Sequence, residues 1–396
     1  MQCSNQYAID RVKDPNTGTD RIDHASMVAY IAASCPTHVI DGWSSLSRAI
    51  GATLANDVYS ACHIAYYAEL RAAMALMAAE GVGILNNRHV AIDATGNIQE
   101  LPSLKNSRSN GTHAYAWPIL RHWSRLNRSY DLIDNIYQPA NVGLENWLAA
   151  MGSSVPAKAI TREWIKVWGI DLALPEGDRT NRNLASYRPS AFRPPQLTTV
   201  DETTRFVAEM WQCFEPSKHG SFIHLEAHLL KRALTRGGVS FPVNEQQIQN
   251  LGLSSAENLA WLQLLNCGNE PSLFEDASRH SHIDSPRCLF QILSRATLLL
   301  SIATAAARRH LLSAGYTRED LVFWWHQTGV DRGLWAKDGE VDPIDIWADI
   351  HDYVGDLHEW LEQGPNSTPQ SFQVSGPPNR HFFESMELIG IWGLIP

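Results

Sequence analysis

The chain has 396 residues, 44% of them hydrophobic and 19% charged, and a formal net charge of −10, which suits a soluble globular protein with room for two domains. Its six cysteines are scattered, with no Cys-x-x-Cys pair, which sets aside a disulfide scaffold and a structural zinc site and points to a reducing compartment. No basic-then-apolar leader opens the chain, and the longest apolar run, Ala296 to Ala307 between Arg295 and Arg308, is too short to span a bilayer, so a cytoplasmic protein without membrane contact is expected.

Residues 1–25 are polar and read as loosely held. Hydrophobic spacing predicts helices over 26–34, 44–56 and 58–80, the last closed by Gly81-Val-Gly83. Ile84 to Asp93 and Asn97 to Leu101 flank Ala94-Thr-Gly-Asn97, a hairpin signal near 84–101. Helices resume over 113–126, 143–151 and 161–169. Leu172 to Val200, with four prolines and four arginines among polar residues, reads as a linker or long surface loop (171–200) between a first unit, 1–170, and a second, 201–396. The second unit is helical over 201–213, 221–236, 244–251, 254–266, 286–314, 318–327 and 343–362. Asp201-Glu-Thr-Thr, Thr317-Arg-Glu-Asp and Asp342-Pro-Ile-Asp mark helix starts, and 364–379 reads as loop. The 14 tryptophans fall mostly on helical segments and are expected to pack between helices. The fold class is mostly all-α with a small β-hairpin insertion.

The most informative stretch is Arg108-Ser-Asn-Gly-Thr-His113-Ala-Tyr115. An arginine and a histidine that reach one phosphate are a minimal set for cutting RNA without a metal. Leu101 to Tyr130 holds Lys105, Arg108, Arg121, Arg125 and Arg128 and no acidic residue, a basic patch on an acidic chain. Upstream lies a helix rich in Ala, Leu and Met that carries Ala65-Tyr66-Tyr67-Ala68.

This helix, followed by a loop and Arg-x4-His-x-Tyr, resembles the HEPN superfamily over residues 45–130, about a fifth of the chain. The resemblance implies a helical bundle, a metal-independent endoribonuclease of a toxin or anti-phage defence system, and no cofactor. It implies Arg108 and His113 as catalytic residues, His113 as general base or acid and Arg108 on the scissile phosphate, with a 2′,3′-cyclic phosphate as product. It also implies a homodimer with two facing copies of the site. RNA contacts are expected from Lys105, Arg121, Arg125 and Tyr115, the last equally readable as structural.

Other constellations compete less well. His224-Leu-Glu-Ala-His228 places two histidines one turn apart without the zincin order. His280-Ser-His282-Ile-Asp284 is similar to the start of a metal-hydrolase signature but lacks its closing histidine. His351-Asp352 and His358-Glu359 read as a solvated acidic helix face. Neither a phosphate-cradling glycine loop nor Gly-x-Ser-x-Gly occurs. The alternative to a ribonuclease is a non-catalytic helical interaction or regulatory subunit whose tryptophan-rich C-terminal region binds a partner protein.

Overall fold

α1 (His24–Leu54) and α2 (Val58–Ala79) make a helical hairpin, followed by strands β1 (Val82–Leu85), β2 (Arg88–Ile92) and β3 (Ile98–Glu100). α3 (Thr112–Trp123), α4 (Asn127–Ile136), α5 (Leu144–Ala150), α6 (Ala157–Thr161) and α7 (Trp164–Val167) lead into α8 (Pro175–Tyr187). α9 (Val200–Cys213), α10 (Ile223–Arg236), α11 (Glu245–Gln249), α12 (Ser255–Asn266) and α13 (Ser272–Ala277) precede the central helix α14 (Cys288–Ser313). α15 (Val322–Arg332), α16 (Ile346–Glu362), α17 (Arg380–Glu384) and α18 (Glu387–Leu394) complete a mostly all-α protein. The structure is a computed structural model that describes residues 24–85, 88–102, 111–187, 199–217, 222–363, 372, 374, 376–378 and 380–396.

α1 is one helix where two were expected. Pro36 lies inside it, and an interior proline costs about 3 kcal/mol. Met27, Ile31, Cys35, Val39, Trp43, Leu46 and Ile50 recur at helical spacing and are all buried, so packing overrides the local penalty. α2 starts where the Asp57 carboxylate accepts from the Ser60 amide, and Gly81 ends it with φ of 77°. The expected hairpin is present. Its turn is held by the Asp93 carboxylate, which accepts from the backbone amides of Thr95 (2.9 Å) and Asn97 (3.0 Å), and Ile92 pairs with Ile98. The stretch expected as a single strand from 84 to 93 instead gives two antiparallel strands, Leu85 pairing with Arg88, so the sheet has three strands in the order β1-β2-β3.

Helix starts in the second half follow side-chain capping. Thr199, two residues before Asp201, caps α9 in a reciprocal box with Glu202; Ser254 and Glu257 do the same for α12. The Asp342 carboxylate accepts from the Ile344 amide ahead of α16, at 3.1 Å.

α14 packs against α1, α2, α13 and α18 and is buried on nearly every side. By length and composition it is apolar enough to cross a membrane, yet it serves as the central core element, with Arg295 about two turns from its start. α1 approaches it closely at Gly42, where a Cβ would sit 2.4 Å from Leu300 Cδ2. The Trp43 indole N–H donates to Thr304 Oγ1 of α14 at 2.9 Å. Trp43, Trp117, Trp147, Trp164 and Trp211 are all fully buried, as expected of interhelical packing.

Two organisational expectations change. The stretch 171–200 is not a linker throughout, because α8 occupies Pro175–Tyr187 and packs along α2. One hydrophobic cluster also runs from Met27 to Leu394, since α14 of the expected second unit fills the groove of the α1–α2 hairpin of the first.

Candidate functional site

α2 and α8 are locked together by a buried charge cluster. Arg295 of α14 is fully buried; its Nε lies 2.9 Å from Asp178 Oδ2 on α8 and 3.3 Å from Glu69 Oε1 on α2. Its Nη2 donates to the same Asp178 oxygen, and its Nη1 donates to the Arg279 carbonyl. Two buried carboxylates share this one guanidinium, so burial, with the Asp178 charge beside it, pushes the Glu69 carboxyl well above the usual carboxylate range. Glu69 Oε2 has no hydrogen-bond partner, and His280 Nε2 lies 3.7 Å from Asp178 Oδ1.

This lock fixes what lies one turn away on each helix. Tyr66 and Tyr67 on α2 and Arg179 and Arg182 on α8 converge on His113, the second residue of α3. The His113 ring stacks on Tyr66, with centroids 5.7 Å apart, and meets Tyr67 edge-on at 5.5 Å. Its Nδ1 lies 3.3 Å from Tyr66 Oη, which also accepts from the Trp117 indole N–H at 3.3 Å. Arg182 Nη2 is 3.4 Å from His113 Nδ1 and 3.3 Å from Nε2, so the guanidinium abuts the Nδ1–Cε1–Nε2 side of the ring. The same guanidinium lies 5.4 Å from the ring centres of both Tyr66 and Tyr67. Arg179 Nη1 donates to the His113 carbonyl at 3.3 Å.

Neither Arg179 nor Arg182 has a carboxylate within ion-pair distance among the described residues, and Arg182 Nε is buried without a hydrogen-bond partner. Burial, then the charges of Arg182, Arg179, Arg71 and His63, lower His113 to about 4. A neutral imidazole among uncompensated cations is an environment that favours an anion. Beside it, His63, Tyr67 and Arg71 line a polar hollow of about 330 Å³ that also reaches Asp41 and Arg48. His63 Nδ1 contacts Ser186 Oγ at 2.5 Å, and Arg71 is partly neutralised by Asp41 at 3.5 Å.

The other expected site residues are dispersed. Arg108 and Lys105 lie outside the described residues. Tyr115, two positions after His113, faces the sheet instead. It is buried, its ring stacks on His89 at 3.8 Å and its hydroxyl donates to the Pro102 carbonyl at 3.1 Å, which corrects a substrate contact to a structural one. Arg121 is paired with Glu176 of α8. Arg125 is exposed in the turn between α3 and α4, beyond the far end of the helix that begins beside His113. Arg128 pairs with Glu80 at 2.9 Å, so the basic stretch 101–130 is partly neutralised from other elements.

The competing histidines also scatter. His224 Nε2 pairs with Glu215 at 2.8 Å, while His228 packs on Phe274 and is lowered to about 4, mainly by burial. His282 pairs with Asp284 at 3.0 Å while His280 turns toward Asp178. Among the described residues, no three His, Cys, Asp or Glu side chains are placed to hold one metal ion.

The sequence reading missed Arg179 and Arg182 by assigning them to a linker. Pro175 followed by Glu176 and Asp178 is a helix-start signal, and it places Arg179 and Arg182 one turn apart on a single face. No family model matches the chain, and no curated protein or solved structure matches it.

Proposed function

We propose that the chain is a metal-independent endoribonuclease centred on His113, in which Arg182, with Arg179, takes the phosphate-holding part first expected of Arg108. One observation carries this: a neutral imidazole lies against a guanidinium that has no carboxylate partner among the described residues, on a floor of two tyrosine rings. With Nδ1–H donating to Tyr66 Oη, the Nε2 lone pair accepts from Arg182 Nη2 at 3.3 Å until the substrate phosphate draws that guanidinium away, and Nε2 then acts as the base. It takes the proton of a ribose 2′-hydroxyl, the 2′-oxygen bonds to phosphorus, and the bond from phosphorus to the 5′-oxygen breaks. The leaving oxygen is protonated by water, and a 2′,3′-cyclic phosphate remains. The guanidinium meets the charge that grows on the equatorial oxygens, while Tyr67 offers a stacking face to a base. A homodimer with two facing sites belongs to the same proposal and is checked by light scattering.

The test uses the full chain with end-labelled single-stranded RNA in EDTA. The expected result is cleavage with cyclic-phosphate ends, reduced about 10²–10⁴-fold by His113→Ala and about 10²–10³-fold by Arg182→Gln, with circular dichroism unchanged. Cleavage that survives His113→Ala refutes the assignment.

A non-catalytic role draws support from a different observation. Arg182 is only 7% exposed, so its guanidinium also acts as a packed pillar between α8 and α2. Wild-type protein that leaves RNA intact, with a cleanly folded spectrum, favours the interaction subunit.

A further inference from the structure

A second hollow, of about 770 Å³, lies between the end of α4, α10, α12 and the C-terminal half of α14. None of its lining residues belongs to the His113 cluster. Its volume falls in the range of small-molecule sites. Tyr137, Trp168, Phe222 and Trp261 give it aromatic walls.

Two ionisable groups that line it have no side-chain partner among the described residues. Arg308 forms no ion pair among the described residues, its Nη1 is buried with no hydrogen-bond partner, and burial lowers its pKa. An unpaired guanidinium held partly out of water is costly, and the cost is relieved by an anion. Glu226 retains surface accessible from the hollow, yet burial pushes its carboxyl up to about 8, so at neutral pH it is largely the neutral acid, able to donate a hydrogen bond. Its own backbone carbonyl is occupied by the Tyr137 hydroxyl at 3.2 Å, but its side chain makes no hydrogen bond among the described residues. Glu257, also on the wall, is already committed to the Ser254 amide at 2.8 Å.

We infer that this hollow binds a small organic anion, its carboxylate on Arg308, its apolar or aromatic body against Trp168, Trp261 and Phe222, and a polar atom on Glu226. An inorganic ion would leave most of the volume and all of the aromatic wall unused.

The experiment titrates the full chain at pH 7 with 8-anilinonaphthalene-1-sulfonate, read by its fluorescence, and then displaces it with 2-naphthoate or the neutral isostere 2-naphthamide. Saturable one-site binding is expected, with naphthoate displacing the probe at about tenfold lower concentration than naphthamide, and inorganic phosphate not displacing it. Arg308→Gln is expected to bring the two competitors to within about twofold of each other, and Arg308→Lys to keep the naphthoate preference. Equal displacement by the two competitors in wild type overturns the inference without any variant. Displacement by phosphate alone, or a preference unchanged in a folded Arg308→Gln protein, overturns it as well.

Discussion

Replacing Arg295 by methionine keeps most of the side-chain volume and removes the only cation that touches Asp178 and Glu69 together in the described structure. Removing one partner of a buried ion pair costs about 3–5 kcal/mol, because the remaining charge stays buried. The variant also strands the Ala277 and Arg279 carbonyls that accept from Nη1, at about 1 kcal/mol each. The total, roughly 5–7 kcal/mol, is a large part of the 5–15 kcal/mol that typically separates folded from unfolded chains. The loss depends on pH in a definite direction. Glu69 and Asp178 are already raised above their ordinary values, mainly by burial, and lose their compensating cation in the variant. A carboxyl whose native pKa is raised contributes stability that is fully present below its unfolded pKa and is lost as pH rises through the native value. The deficit is therefore smaller at pH 5 than at pH 8. Urea unfolding followed by tryptophan fluorescence and far-ultraviolet circular dichroism measures it at both pH values. Adding Asp178→Asn to the variant recovers about 2 kcal/mol, because one stranded charge is gone. A deficit under about 1 kcal/mol, or one that is flat between the two pH values, means that the cluster does not hold these helices as described.

The cleavage proposed for His113 carries its own pH signature. Because its native pKa is lowered to about 4, chiefly by burial, the base is already neutral at mildly acid pH, so the acid limb of kcat/KM falls near 4. A limb near the ordinary histidine value of about 6.5 refutes that assignment. The same shift means that stability present above the unfolded value is lost as pH falls through the native one; since His113 is only half-buried, the loss is about 1–2 kcal/mol, read by urea titration at pH 7 and pH 4. Tyr115→Phe removes one hydrogen bond to Pro102, lowers stability by about 1 kcal/mol and leaves RNA cleavage unchanged; a tenfold loss of cleavage without unfolding would return the hydroxyl to the substrate side.

Much of the helical framework was legible because burial follows local period. The helix read over 58–80, the one read over 254–266 and the Ala94–Asn97 turn all rest on signals that the chain carries within a few residues. The gap read between 34 and 44 is closed by helix, with Pro36 inside it, because packing against helices distant in sequence outweighs a local penalty. The site was less legible for the same reason. His113 was singled out, but its neighbours Tyr66 and Arg182 are 47 and 69 positions away. Proximity in sequence favoured Tyr115, which the helix turns toward the sheet. The basic stretch 101–130 looked uncompensated only because Glu80 and Glu176 lie outside it.

The residues that gather around His113 all belong to the first 187 positions, yet the guanidinium that clamps their two supporting helices sits at position 295. During synthesis, α2 and α8 therefore leave the ribosome long before their shared counter-ion exists. Until then Glu69 and Asp178 must remain hydrated, and the apolar faces awaiting α14 stay open to other hydrophobic chains. A fragment ending at residue 187 would be halted in that state. It would hold the histidine, the arginines and the tyrosines of the site, but not the means to keep them in register.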